Sequence, residues 1–126
     1  MEENERNDQE EKEKRKNREI AKLRQLFSRM DRKTKSAVHS LIENAAFMTV
    51  LLEDLQDKIN RNGITETYQN GKDQFGVKKS IDAEMYIATI KSHMGIMKQL
   101  TDLLAKTKED NPGKDDDGFD GFVNNK

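Results

Sequence analysis

"GITETYQNGKDQFGVKKS", residues 63–80, interrupts a sequence otherwise patterned for helices. Two strand-like runs flank Asn70-Gly71, and Asn-Gly is a strong hairpin signal because a type I′ turn needs positive φ at both central residues. A two-residue turn there sets Tyr68 opposite Asp73, Glu66 opposite Phe75 and Ile64 opposite Val77. Side chains alternate along each strand, so Ile64, Tyr68, Phe75 and Val77 are predicted to share one face. Thr65, Thr67, Gln69, Lys72 and Gln74 take the other, and Gly76 marks a bulge or a close approach. The stretch therefore reads as a β-hairpin over 64–77. Its apolar side should lie on the helices or on a neighbouring chain, since a lone hairpin is marginal in water. A structureless connector between antiparallel helices is the alternative.

On the N-terminal side, apolar residues step by three or four through Val38, Leu41, Ala45, Met48, Leu52, Leu55 and Ile59. This predicts a helix from about Arg32 to Asn62, stopped by Gly63 in a left-handed conformation. Within it "AAFMTVLL" (45–52) is apolar on nearly every side and demands enclosure. On the C-terminal side, Ser80 is a good N-cap, with Asp82 and Glu84 favourable in the first turn of a third helix. Ala83, Ile90, Met97 and Leu104 recur at seven, interleaved with Ile87, Met94 and Leu100, which reads as a coiled-coil-like seam. The pattern ends after Lys106, and Pro112-Gly113 leads into the compositionally disordered "KDDDGFDGFVNNK".

Ahead of these helices, Ile20, Leu23, Phe27 and Met30 form one apolar stripe, with Asp31 as the cap of the next helix or as part of a continuous one. Residues 1–19 are polar all round. Asp8/Lys12, Glu10/Lys14 and Glu11/Arg15 each place an acid four residues before a base, worth only ~0.2–0.5 kcal/mol per pair, so this arm reads as a fraying helix.

The whole is an all-α subunit: a long antiparallel helical hairpin, a basic N-terminal helix before it, and a small β-hairpin insert at the junction of the second and third helices. The predicted segments are a charged arm (1–19), a helical oligomerisation domain (20–106) and a disordered acidic tail (107–126).

Composition narrows the function. Charged residues are 37% and hydrophobic ones 33% of the 126 residues, which is thin for a small monomeric globule. The middle helix nevertheless carries more apolar surface than one stripe, and the third offers Tyr86, Ile96 and Leu103 outside its seam. Leaving a Leu- or Phe-sized side chain wet forfeits about 1.5–3 kcal/mol, so six to eight of them outweigh the ~5–15 kcal/mol stability of a typical domain. Self-association is the predicted remedy, through Leu41, Phe47, Met48, Leu51, Leu52, Leu55, Ile90, Met94, Met97 and Leu104. A three-helix monomer, covered by the Ile20–Met30 stripe, is the competitor.

The absence of cysteine and of long apolar runs predicts an intracellular protein with no signal peptide and no membrane partner. His39 and His93 have no zinc-like spacing, Asp115-Asp116-Asp117-Gly118 does not fit a calcium loop, and no glycine loop cradles phosphate. No enzyme activity and no cofactor are expected.

Residues 11–35 hold eleven Lys/Arg against four Asp/Glu, and residues 109–126 hold six acids against two lysines. Lys12, Lys14, Arg15, Lys16, Arg18, Lys22, Arg24 and Arg29 would form a dense phosphate-binding surface if repeated around a ring. The plainer reading of this run is a solvated helix face. Neither a leucine-zipper basic region nor a helix-turn-helix is recognisable, so no base-reading element is visible. In the tail, Phe119, Phe122 and Val123 among aspartates resemble a peptide that folds onto a partner groove, against the alternative of an inert solubilising tail.

"LIENAAFM" (41–48) with "LEDLQDKINRNG" (52–63), then "YQNGKDQFGVKKS", "EMYIATIKSHMGIMKQLTDLL" and "DDDGFDGFV", resemble the small terminase subunits of tailed phages and prophages of Gram-positive bacteria. The resemblance covers about residues 20–123 and rests on the order and spacing of the five pieces. It departs at Ile81, where relatives often carry a proline after the serine. It implies a DNA-packaging protein without enzymatic activity, in the cytoplasm of the bacterial host. Such a protein forms a homo-oligomeric ring, marks double-stranded phage DNA and brings in the large terminase subunit, which supplies the ATPase motor and nuclease. Phe119, Phe122 and Val123 would be the docking residues for that subunit. A coiled-coil-like scaffold or adaptor with no DNA role is the reading from a different class.

Overall fold

The computed structural model describes residues 2–110, with side chains through residue 106. Its elements are α1 (Glu2–Leu26), α2 (Arg32–Asn62), β1 (Thr65–Gln69), β2 (Phe75–Lys79) and α3 (Ile81–Asp110). The three helices and the two-stranded antiparallel sheet between α2 and α3 follow the predicted order. No helix among the described residues is long and apolar enough to cross a membrane.

α1 is one helix from Glu2, so the charged arm and the Ile20–Leu26 stripe are continuous. None of the expected i,i+4 pairs forms. Lys12 and Arg15 turn instead to carboxylates on α2, while Lys16 and Lys22 pair with Glu13 and Glu19 three residues back. The chain leaves α1 through tight bonds, with Phe27 N–H donating to Arg24 O and Met30 N–H to Phe27 O. That turn drives Phe27 into the core. Asp31 then caps α2, its carboxylate accepting from Thr34 N at 2.9 Å, and the helix breaks there without glycine or proline.

α2 is the middle element, packed against both other helices. Ile20, Leu23 and Phe27 join Val38, Ile42, Ala45 and Ala46 of α2 and Leu100 of α3 in one cluster, flanked by Met30, Leu41, Ile96, Met97, Leu103 and Leu104. α2 ends at Gly63, whose N–H reaches Ile59 O at 2.7 Å. Its conformation, φ 84° and ψ −179°, is not the expected left-handed helical stop. It is the extended positive-φ region open essentially to glycine alone, which sends the chain straight into β1.

The hairpin exists but its predicted register is wrong. Tyr68 pairs with Gly76, Thr67 with Val77 and Glu66 with Lys78, three residues from the expected alignment. Gly71 has φ 130° and no non-glycine residue among the described residues has positive φ, so Asn70 cannot occupy a type I′ turn. Asn70 N–H bonds Gln74 O and the loop is the three residues Gly71, Lys72 and Asp73, while Ser80 N–H bonds Ile64 O at the base. An odd shift exchanges faces. Tyr68 lies with Glu66 and Gly76, whereas Phe75 and Val77 lie with Thr65 and Thr67. Phe75 is 73% exposed, so the four apolar residues do not make one buried side.

α3 starts at Ile81 even without proline, because Ser80 Oγ accepts from Ala83 N at 3.0 Å in a buried cap. Its inward line keeps Ala83, Ile90, Met97 and Leu104 but interleaves Tyr86, His93 and Leu100. The Thr49 hydroxyl, having donated to Ala45 O, accepts from His93 Nε2 at 3.1 Å, and Gln56 Nε2 donates to Tyr86 OH at 3.0 Å. These polar tips take the places expected of Ile87 and Met94. The latter pair turns outward.

Candidate functional sites: a basic groove and an uncovered apolar face

The two α2–α3 contacts lie on a single antiparallel register, which sets Met48 level with Met94, Leu52 with Ile90 and Leu55 with Ile87. On α3 Met94 is 65% exposed and Ile87 is open, and on α2 Phe47 is 58% exposed beside α1. Met48, Leu51, Leu52 and Ile90 between them are half-buried. Of the ten predicted interface residues, Leu55 is buried within the chain, while Leu41, Met97 and Leu104 back onto the core cluster. The remaining six make a partly exposed apolar band on α2 and α3, its Phe47 and Leu51 edge bordering Lys12, Glu13 and Lys16 of α1. α1 covers the middle helix only in part.

The hairpin closes a second apolar hollow of about 690 Å³, bordered by Ile59, Ile64, Val77, Ala83, Tyr86 and Ile87. Here Ile64 and Val77 do approach the helices, although both remain largely exposed. Tyr68 crosses Gly76, and Asn70, Gly71 and Phe75 stand in solvent.

The eight predicted DNA-binding cations divide into four settings. Arg15 donates to Asp54 Oδ1 at 2.9 Å and approaches Glu53 at 3.5 Å, and Lys12 lies 3.8 Å from the same Asp54. Hydrogen bonding to Asp54 raises the Arg15 pKa above its ordinary value. These two side chains hold α1 to α2. Lys16 and Lys22 are tied to glutamates on their own helix. Lys14, Arg18 and Arg29 are exposed and meet no carboxylate among the described residues.

Arg24 belongs to a different setting. The last turn of α1 and the first two turns of α2 enclose a groove of about 720 Å³, floored by the buried Phe27, Val38 and Ile42. Arg24, Arg32, Lys35 and His39 rim it, together with Ser28 and Ser36. Arg32, Lys35 and Ser36, and His39 fall at helical steps of three and four, so α2 presents them on one side. A guanidinium only donates, so the 3.1 Å contact from Arg24 Nη2 makes His39 Nδ1 an acceptor and leaves its Nε2 proton facing Glu43 Oε1 at 3.3 Å.

Residue type and sequence spacing pointed to Arg24 and Arg29. They missed Arg32, Lys35 and His39, which meet Arg24 only because α1 folds back against α2. Phe119, Phe122 and Val123 lie outside the described residues. Comparison with protein-family models, with curated proteins and with solved structures finds no match for this chain.

Proposed function

We propose that this chain is the small terminase subunit of a tailed phage or prophage of Gram-positive bacteria, acting in the cytoplasm of the bacterial host. In this reading it is a non-enzymatic, ring-forming protein that holds double-stranded phage DNA and recruits the large terminase subunit. The ATPase and nuclease belong to that partner.

The observation that carries the proposal is the ordered run of five sequence pieces, and the folded chain is consistent with it. "LIENAAFM" and "LEDLQDKINRNG" lie on α2, "YQNGKDQFGVKKS" is the hairpin and its flank, and "EMYIATIKSHMGIMKQLTDLL" lies on α3. The band through Phe47, Met48, Leu51, Leu52, Ile90 and Met94 supports self-association, because one chain leaves it open to water. Cyclic symmetry would close such an interface.

The decisive test is retention of duplex DNA by the full chain, with salt varied. A packaging subunit binds with an affinity that falls steeply as salt rises, log K changing by about 0.9 per log salt for each phosphate neutralised. No retention at low salt ends the DNA half of the proposal. Light scattering of the same sample should give a mass several times that of one chain. Phe119→Ala with Phe122→Ala should abolish capture of the large subunit.

A further inference from the structure

We infer that the groove between the end of α1 and the start of α2 grips the phosphodiester backbone of duplex DNA, with Arg24, Arg32 and Lys35 as its cations. This rests on the DNA-packaging reading and moves the contact away from the outer half of α1.

Charge decides between the two places. Residues 1–19 carry eight acids against six bases, and two of those bases, Lys12 and Arg15, already face Asp54. Residues 20–42 carry six bases against one acid. That acid, Asp31, is occupied as the α2 cap. Arg24 lies roughly 18 Å along the helix from Lys12 at 1.5 Å per residue. Beyond the ~8 Å screening length of physiological salt, the acidic end of α1 does not cancel the potential at the groove.

The groove also has suitable chemistry. No carboxylate rims it; Glu43 touches only the far nitrogen of His39. Two guanidinium groups and an ammonium can each meet phosphate oxygens, the guanidinium in a two-point fork. Ser28 and Ser36 hydroxyls, which have no hydrogen-bond partner among the described residues, stand ready for the same oxygens. Of the groove's two aromatic rings, Phe27 is buried and His39 is tied at both ring nitrogens, to Arg24 and to Glu43, so neither is a free, broad platform for unpaired bases. That favours a duplex backbone over a single strand.

The test compares Arg32→Glu/Lys35→Glu with Lys14→Glu/Arg18→Glu in the full-length protein, by anisotropy of a labelled mixed-sequence duplex and of one of its strands. Both groove positions are exposed at the start of α2, where added acids suit the helix dipole, so helix content by circular dichroism should hold. The groove variant should lose about tenfold or more in duplex affinity and flatten the salt dependence by about two phosphates' worth, or ~1.8 in slope. The outer-helix variant should change far less. Loss in the outer-helix variant with full binding by the groove variant overturns the groove assignment and leaves the packaging reading standing. Retention of the single strand alone also overturns it. Absence of any binding by the unaltered protein overturns both.

Discussion

The ring of Tyr68 lies across the backbone of Gly76, its partner on the opposite strand: a Cβ at position 76 would sit 2.5 Å from Tyr68 Cζ. An aromatic side chain thus fills the gap left by a residue with none, a device that steadies a glycine inside a strand. The directly opposed Glu66–Lys78 pair, at 3.4 Å, supports the same register.

Tyr68→Ala should weaken the hairpin by about 0.2–1 kcal/mol, the range for a cross-strand pair. The upfield ring-current shift of the Gly76 α protons should vanish with it. Gly76→Ala should swing the ring into solvent and keep the strands paired, because the clashing atoms are the far end of an exposed side chain. Unchanged Gly76 shifts in Tyr68→Ala would contradict the ring placement.

Asp54 holds both Lys12 and Arg15 at a quarter-exposed position. Asp54→Asn is expected to cost about 1 kcal/mol or less, as for a largely solvent-screened pair. Its clearer mark is kinetic: backbone amides in the first half of α1 should exchange with deuterium faster, and those of α2 should not. Equal exchange in both proteins would mean that other contacts hold the helix down.

The Asp31 carboxylate has a lowered pKa, chiefly because it accepts from Thr34. A carboxylate whose folded pKa lies below its unfolded value of ~3.9 stabilises the fold above that value and loses the contribution as pH falls through the folded pKa. Asp31→Asn keeps an acceptor at every pH, so its melting temperature should fall less steeply over that acidic window. Asp31→Ala should melt lower throughout. Parallel acid limbs for Asp31→Asn and the unaltered chain would remove the cap from the explanation.

Gly63 has open space around its Cα but a backbone conformation with φ 84° that suits glycine. Gly63→Ala should therefore destabilise through strain alone, by about 1–3 kcal/mol, without a clash. Chemical denaturation measures this. A loss no larger than a few tenths would show that the chain relaxes cheaply into another exit from α2.

Phe47→Glu with Met94→Lys places charges on the open band of α2 and α3. Light scattering should report a fall to single-chain mass with helix content preserved, since neither residue belongs to the core cluster. If the unaltered chain is already solitary at high micromolar concentration, the band is not an interface between copies.

Much of the chain was legible because its signals are local. Asp31, Ser80 and Gly63 act on backbone groups within four residues, so a cap or stop can be read where it stands. The ends of α2 and the start of α3 follow from them. The hairpin's existence was readable in the same way from Asn70-Gly71 between strand-like flanks. Its register was not: that depends on which pairs close both ends of the ladder, Ile64 with Ser80 and Asn70 with Gln74, and a turn signal says nothing about the base.

The sequence by itself determined the element order, both ends of α2, the start of α3 and the excess of apolar residues on α2. Only the tertiary structure decided which side of α3 faces inward, because His93 and Tyr86 gain partners in Thr49 and Gln56 that no apolar periodicity reveals. It also decided which cations are available. Lys12 and Arg15 look the same as Lys14 and Arg18 along the chain, and differ only because packing brings Asp54 to one pair and leaves the other in water.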